Sequence, residues 1–123
     1  MDIAWIYDQK GEPRLLRVGE DRFCDTAGKV AGWRKGNLVY SRIGKHIGWF
    51  AGGALREMHG RVRGLEKGSL AGAIPPQLPP YKEPPAVPVV DTSLTRPPLS
   101  PPHVPIIDVA AWSYSGLDGF FPK

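Results

Sequence analysis

One cysteine among 123 residues, Cys24, leaves no partner for an intramolecular disulfide, so nothing in the chain points to an oxidising compartment. Metal-binding spacings are missing too. CxxC and HxxxH do not occur, and His46, His59 and His103 match no zinc pattern, so no metal or cofactor is expected. No segment approaches the ~18 apolar residues of a membrane span. The opening MDIAWIYDQK places Asp2 and Asp8 where a signal peptide carries bases and a longer apolar run. A soluble, cytoplasmic protein with no membrane partner is the expectation. The motif G-x-x-x-x-G-K-[ST] is absent, so Gly36-Asn37 and Gly52-Gly53 carry no phosphate-loop signal.

What is present in excess is glycine and proline, fifteen and fourteen residues, against ordinary hydrophobic (41%) and charged (23%) contents. The two are segregated. Twelve prolines lie between Pro75 and Pro105, and twelve glycines come by Gly68. Charge follows the same line: residues 1–72 hold thirteen Lys and Arg against eight Asp and Glu, a net of +5, and residues 73–123 hold three against four, a net of −1. Three segments follow: a Gly-rich domain over 1–72, a Pro-rich arm over 73–105, and a C-terminal anchor over 106–123.

The Gly-rich segment repeats. Gly28, Gly44 and Gly60 stand sixteen residues apart, as do Gly32, Gly48 and Gly64, and Gly36, Gly52 and Gly68. Lys29, Lys45 and Arg61 share a column, Trp33, Trp49 and Leu65 another, and Val39, Leu55 and Ala71 a third. Phe23, Gly11 and Gly19 extend the pattern to the N-terminus with one residue of slip. Sixteen residues are too few for a helix-pair repeat and fit two short strands with two turns. Asp8…Gly11 and Asp25…Gly28 have Asp at the first and Gly at the fourth turn position, with Ser41…Gly44 and Glu57…Gly60 equivalent. Four hairpins are predicted, at about 2–18, 21–34, 37–50 and 54–66. Helix is disfavoured, since each interior Gly costs about 1 kcal/mol relative to Ala.

The recurring Tyr-Asp-x-x-Gly, base, x, x, Gly-Trp pattern, carried by Gly28-Lys29, Gly32-Trp33, Gly44-Lys45 and Gly48-Trp49 and followed by a Pro-rich arm and WSYSGLDGFF, resembles the bacterial four-fold β-flower proteins. The resemblance implies an all-β fold, four hairpins set as petals about a pseudo-four-fold axis, and no particular activity. The first hairpin departs from the pattern, with Leu15-Leu16 in place of Gly-Trp.

Each hairpin alone is too short to bury an apolar face, so Ile3, Trp5, Leu16, Phe23, Val30, Trp33, Val39, Ile47, Trp49, Leu55, Val62 and Leu65 are predicted to meet between petals. The arm is extended, because proline removes donors and fixes φ. The apolar content of Leu78, Tyr81, Val87, Val89, Val90, Leu94, Leu99, Val104, Ile106 and Ile107 exceeds that of a free linker and predicts wrapping over the petals. Ile106 to Trp112 is expected to add a strand or plug. Ser115 to Asp118 reads as a capping box opening one helical turn that buries Phe120 and Phe121.

No catalytic constellation is legible, and no catalytic residue or metal ligand is assigned. In the repeat register His46 stands where Val30 and Val62 stand, and His59 where Ala27 and Ile43 stand. Asp8 and Asp25 belong to turns, where their side chains cap the local backbone. Lys29, Arg34, Lys35, Arg42, Lys45, Arg56, Arg61 and Arg63 interleave with Trp33, Tyr40 and Trp49, the composition of a nucleic-acid surface. The plainer reading is solvated strand faces, with tryptophans at matched positions serving as core. The candidate binding residues are Trp33, Arg34, His46, Trp49 and Arg63. The function classes carried forward are a non-catalytic binding or interaction module with a protein partner, a nucleic-acid-binding protein, and a small hydrolase-like enzyme around His46 and His59. The PxxP runs at Pro76, Pro85 and Pro98 lack the flanking base that an SH3-like partner reads.

Overall fold

The computed structural model describes residues 2–69, 78–103, 108–117 and 119–122. Ala71, Pro75, Pro76, Val104, Pro105, Ile106, Ile107 and Asp118, invoked above, lie outside them. Eight strands run in chain order: β1 (Ile3–Tyr7), β2 (Pro13–Val18), β3 (Arg22–Cys24), β4 (Val30–Lys35), β5 (Leu38–Ser41), β6 (His46–Ala51), β7 (Ala54–Arg56) and β8 (Val62–Glu66). Each pairs antiparallel with its neighbour, and β8 returns to β1 to close a barrel. The predicted hairpins are met within one or two residues. No helix occurs among the described residues, and so none long and apolar enough to cross a membrane.

Turn chemistry builds the hairpins. The amides of Gly11, Gly28, Gly44 and Gly60 bond the carbonyls of Asp8, Asp25, Ser41 and Glu57 at 2.9–3.0 Å. Asp8 Oδ1 also accepts from the amides of Lys10 and Glu12, and Asp25 Oδ1 from those of Ala27 and Lys29. These aspartates are therefore turn caps, as their positions predict. Immediately beyond each turn one residue is extra in the ladder. The register slips between Ile6/Tyr7, Phe23/Cys24, Val39/Tyr40 and Leu55/Arg56, which leaves Arg14, Ala31, Ile47 and Arg63 as the bulged residues.

Strand alternation sends Trp5 and Tyr7 to one face of the sheet and Ile6 to the other. Ile6, Phe23, Val39 and Leu55, one from each hairpin and all fully buried, belong to a single cluster with Leu15, Phe50, Leu117 and Phe120. Since all four hairpins contribute to it, this face is the interior. The tail completes it. A Cβ on Gly48 would meet Phe120 Cζ at 2.8 Å, one on Gly64 would meet Leu117 Cδ2 at 3.1 Å, and one on Gly32 would overlap the Phe121 ring. Glycine in this column makes room for three apolar side chains of the C-terminal tail. The first hairpin has Leu15 in that column and fills the space itself, which explains its departure from the repeat.

The helical turn expected at Ser115–Asp118 is not formed by the described residues there. Leu117 and Phe120 are instead joined by a turn in which the Phe120 N–H donates to the Leu117 carbonyl (3.2 Å) and Gly119 sits at φ 83°. That backbone is left-handed and cannot continue a helix. Phe120 is buried and Phe121 is half-buried.

The outer face is covered by the arm. Tyr81, Val90 and Leu99 pack on the cluster of Trp5, Tyr7, Leu16, Val30, Trp33 and Tyr40, and Trp112 packs on Ala54, Val62 and Leu65. The backbone is in register as well. The amides of Lys82, Asp91, Ser100 and Val109, nine residues apart, donate to the carbonyls of Gly11, Gly28, Gly44 and Gly60 at 2.8–3.1 Å. The arm, continued by the C-terminal segment at Val109, thus meets the four turns in chain order, one every nine residues.

Candidate functional site

The five candidate binding residues occupy different places. Trp33 is buried in the outer cluster, and its indole N–H donates to the Arg42 carbonyl (3.1 Å). Trp49, one repeat on, is half-buried, and its indole nitrogen has no acceptor among the described residues. Its ring meets that of His46 edge-on at 4.9 Å, the one close pairing within the set among the described contacts. Arg34 lies near the opposite rim, where its Nε donates to the Gly36 carbonyl and its guanidinium covers Phe50 at 4.8 Å. Arg63, a bulge residue, covers Phe120 at 5.2 Å and donates through Nε to the Gly116 carbonyl (2.7 Å). Burial draws the pKa of both guanidinium groups below its ordinary value.

His46 is 1% exposed. Its Nε2 bonds the Gly48 carbonyl at 2.8 Å, and its Nδ1 accepts the backbone N–H of His103 at 3.0 Å. An acceptor at Nδ1 requires the hydrogen on Nε2, so the ring is neutral with both nitrogens engaged. Its own amide donates to Ser100 Oγ (3.0 Å), and its ring stacks on His103 at 5.5 Å. Burial, foremost, and then His103 hold its pKa below the usual histidine range, against the bond to Gly48. His59 is exposed on the β7–β8 turn, in another hairpin. Cys24 is fully buried, and burial pushes its thiol pKa up.

The basic residues divide between the two ends of the barrel. Lys29, Arg42, Lys45 and Arg61 stand at the arm-side turns, and Lys35 precedes a turn at the other rim. Arg56 is buried, donates to the carbonyls of Gly60 and Val109 (2.7 and 2.9 Å), and pairs with Asp108 at 3.5 Å. Arg22 likewise donates to the Asp91 carbonyl (3.1 Å). Arg56, which reads as surface charge from the sequence, is thus a clamp on the chain that follows the barrel, and Arg22 is a second one.

A feature that sequence reasoning missed is the seam. β1 and β8 pair only through Ile6↔Glu66 and Tyr7↔Leu65, a shorter pairing than any other in the barrel. The tail splices it, running parallel to the start of β8: the Val62 amide donates to the Ala111 carbonyl (2.9 Å) and the Ser113 amide to the Val62 carbonyl (2.8 Å). Between this splice and the β1–β2 turn lies a groove of about 560 Å3. Asp8, Lys10 and Arg14 form one wall, Arg63 lies in it, and Trp112 to Leu117 form the other. Tyr114 on its edge is 94% exposed, with the Arg61 guanidinium over its ring at 5.2 Å. A second hollow of about 400 Å3, touching Trp5, Gly53, Glu66 and Ser69, also adjoins the seam. No local pattern in the sequence marks this region, and Leu15 and Leu16 line neither hollow.

No curated protein and no solved structure matches the chain. The family model described as 4-fold beta flower protein matches residues 4–121, through the barrel, the arm and most of the tail, and the chain belongs to that family.

Proposed function

We propose that the protein is a non-catalytic interaction module whose partner meets the barrel at the β1–β8 seam. The observation that carries this reading is the groove beside Tyr114. It falls in the size range of ligand sites, and it combines an exposed aromatic ring with charged walls at the one seam that the ladder leaves short. Aromatic and arginine side chains are what recognition surfaces are enriched in. The dispersal of the chemically capable residues supports a binding role over the hydrolase-like alternative, since His46 has both ring nitrogens engaged and His59 stands in a different hairpin. The nucleic-acid alternative draws less support, because Trp33 and Arg56 are buried and the remaining cations divide between two ends.

A photo-crosslinking residue in place of Tyr114, compared with one in place of Val89, which is 95% exposed on the arm, tests the reading in cell extract. The expected result is a discrete adduct from position 114 that position 89 does not form and that Lys10→Glu diminishes. Indistinguishable adducts from both positions contradict it. A fluorescent single-stranded oligonucleotide at low ionic strength tests the alternative, and salt-sensitive binding would favour that reading.

A further inference from the structure

Hairpin three holds the arm differently from the other three. At hairpins two and four guanidinium groups clamp arm carbonyls, Arg22 on Asp91 and Arg56 on Val109, and at hairpin one Lys82 pairs with Glu12. At hairpin three the clamp is an imidazole, which accepts the amide of His103 while its own amide donates to Ser100 Oγ. The matched positions in hairpins two and four are Val30 and Val62, so a histidine is not needed to build β6.

We propose that His46 is a pH-operated latch for arm residues 96–103: protonation of its Nδ1 breaks the bond from the His103 amide and frees this part of the arm from hairpin three. A proton placed on Nδ1 points at an N–H donor 3.0 Å away, so latch and proton compete for one lone pair. The surroundings add to the cost. Tyr40 faces the ring from β5, Trp49 and the Gly48 carbonyl face it from β6, and the His103 imidazole and amide face it from the arm. Among the described groups facing it there is no carboxylate to compensate a cation. The exposed His103 imidazole stacks on the ring at 5.5 Å, and its electrostatic effect there disfavours a cation on His46.

The direction of the pH effect follows by linkage. The latched pKa lies below that of the released imidazole, about 6.5, so the released form binds more protons. Latching is therefore fully present above about pH 6.5 and is lost as the pH falls from there toward the latched pKa, with the opening constant rising up to about tenfold per pH unit. Guanidinium clamps do not titrate in this range, so hairpins two and four keep their hold.

Amide hydrogen exchange of the full chain between pH 7.5 and 5, read as protection factors to remove the intrinsic pH dependence, tests the proposal. The expected result is that protection at Ser100 and His103 falls by about tenfold or more while that at Asp91 and Val109 holds. His46→Val, the residue that its column carries elsewhere, should abolish the pH step. Unchanged protection at Ser100 and His103, a step retained in His46→Val, or a joint loss at all four arm amides overturns the proposal. Should His46→Val disturb the fold, the ring titration of His46 followed by NMR in the wild-type chain decides: a midpoint below 6.5 that coincides with loss of His103 amide protection is expected, and an uncoupled titration overturns it.

Discussion

A chain ended after residue 72 is expected not to hold the barrel: its thermal transition should disappear or fall by tens of degrees, and its near-UV tryptophan signal should collapse. The truncated chain loses Leu117 and Phe120 from the interior and Tyr81, Val90, Leu99 and Trp112 from the outer face. Emptying one buried Leu or Phe site costs about 2–5 kcal/mol. Losing several, some of them half-buried, amounts to something on the order of 10 kcal/mol, comparable with the entire 5–15 kcal/mol of an ordinary domain. The glycines are what make the loss so complete. Gly32, Gly48 and Gly64 have no side chains with which to close the space that the tail leaves. Circular dichroism and calorimetry of the truncated chain check this; a retained midpoint would show that the hairpins form a core without the arm and tail.

Gly44→Ala should destabilise the protein by about 3 kcal/mol or more, while Gly36→Ala should cost about 1–2 kcal/mol. Both glycines have positive φ, 89° and 59°, and both substitutions carry the left-handed backbone penalty. Only Gly44 lies under the arm. A Cβ there would overlap the Pro98 carbonyl oxygen, whereas one at Gly36 meets nothing within 4 Å. Relieving the overlap pushes the arm away and weakens the bond from the Ser100 amide to the Gly44 carbonyl (2.8 Å), worth about 1 kcal/mol net. Chemical denaturation of the two variants measures the difference, which isolates the arm's contribution from turn strain. Equal losses would place the arm off the turn.

The contrast between those glycines marks how far the fold is legible in the sequence. Sixteen-residue columns of Gly, base and Trp locate the hairpins to within one or two residues, because turn chemistry is local: an Asp with a Gly three residues on needs no tertiary partner to be read. What a turn glycine lies beneath is not local. Gly11, Gly28 and Gly44 face the arm, and Gly19, Gly36 and Gly68 face open space, yet all six read alike. The nine-residue phase of the arm is written in Pro79, Pro88, Pro97 and in Tyr81, Val90, Leu99, but it acquires meaning only against a barrel whose repeat has a different period. The expected helical turn failed at Gly119, where a left-handed residue interrupts a sequence that resembles a cap.

The candidate site was less legible than the fold. His46 was singled out because it breaks its column, and the structure gives the break a role, since its ring holds the arm. Trp33 and Trp49 share a column but not a bonding state, because only Trp33 finds a carbonyl for its indole N–H among the described residues. Arg56 looked like surface charge, and nothing in the spacing of Arg22 or Arg56 announces that carbonyls come to them from 69 and 53 residues away. The seam groove depends on how a barrel closes, a long-range property that no local pattern encodes.

The central claim is that the arm is a structural belt in register with the hairpin turns, and amide exchange of the intact chain at neutral pH tests it most directly. The amides of Lys82, Asp91, Ser100 and Val109 should be protected, nine residues apart, between exposed neighbours such as Glu83 and Thr92 that exchange freely. Uniformly fast exchange from Lys82 through Val109 would contradict it.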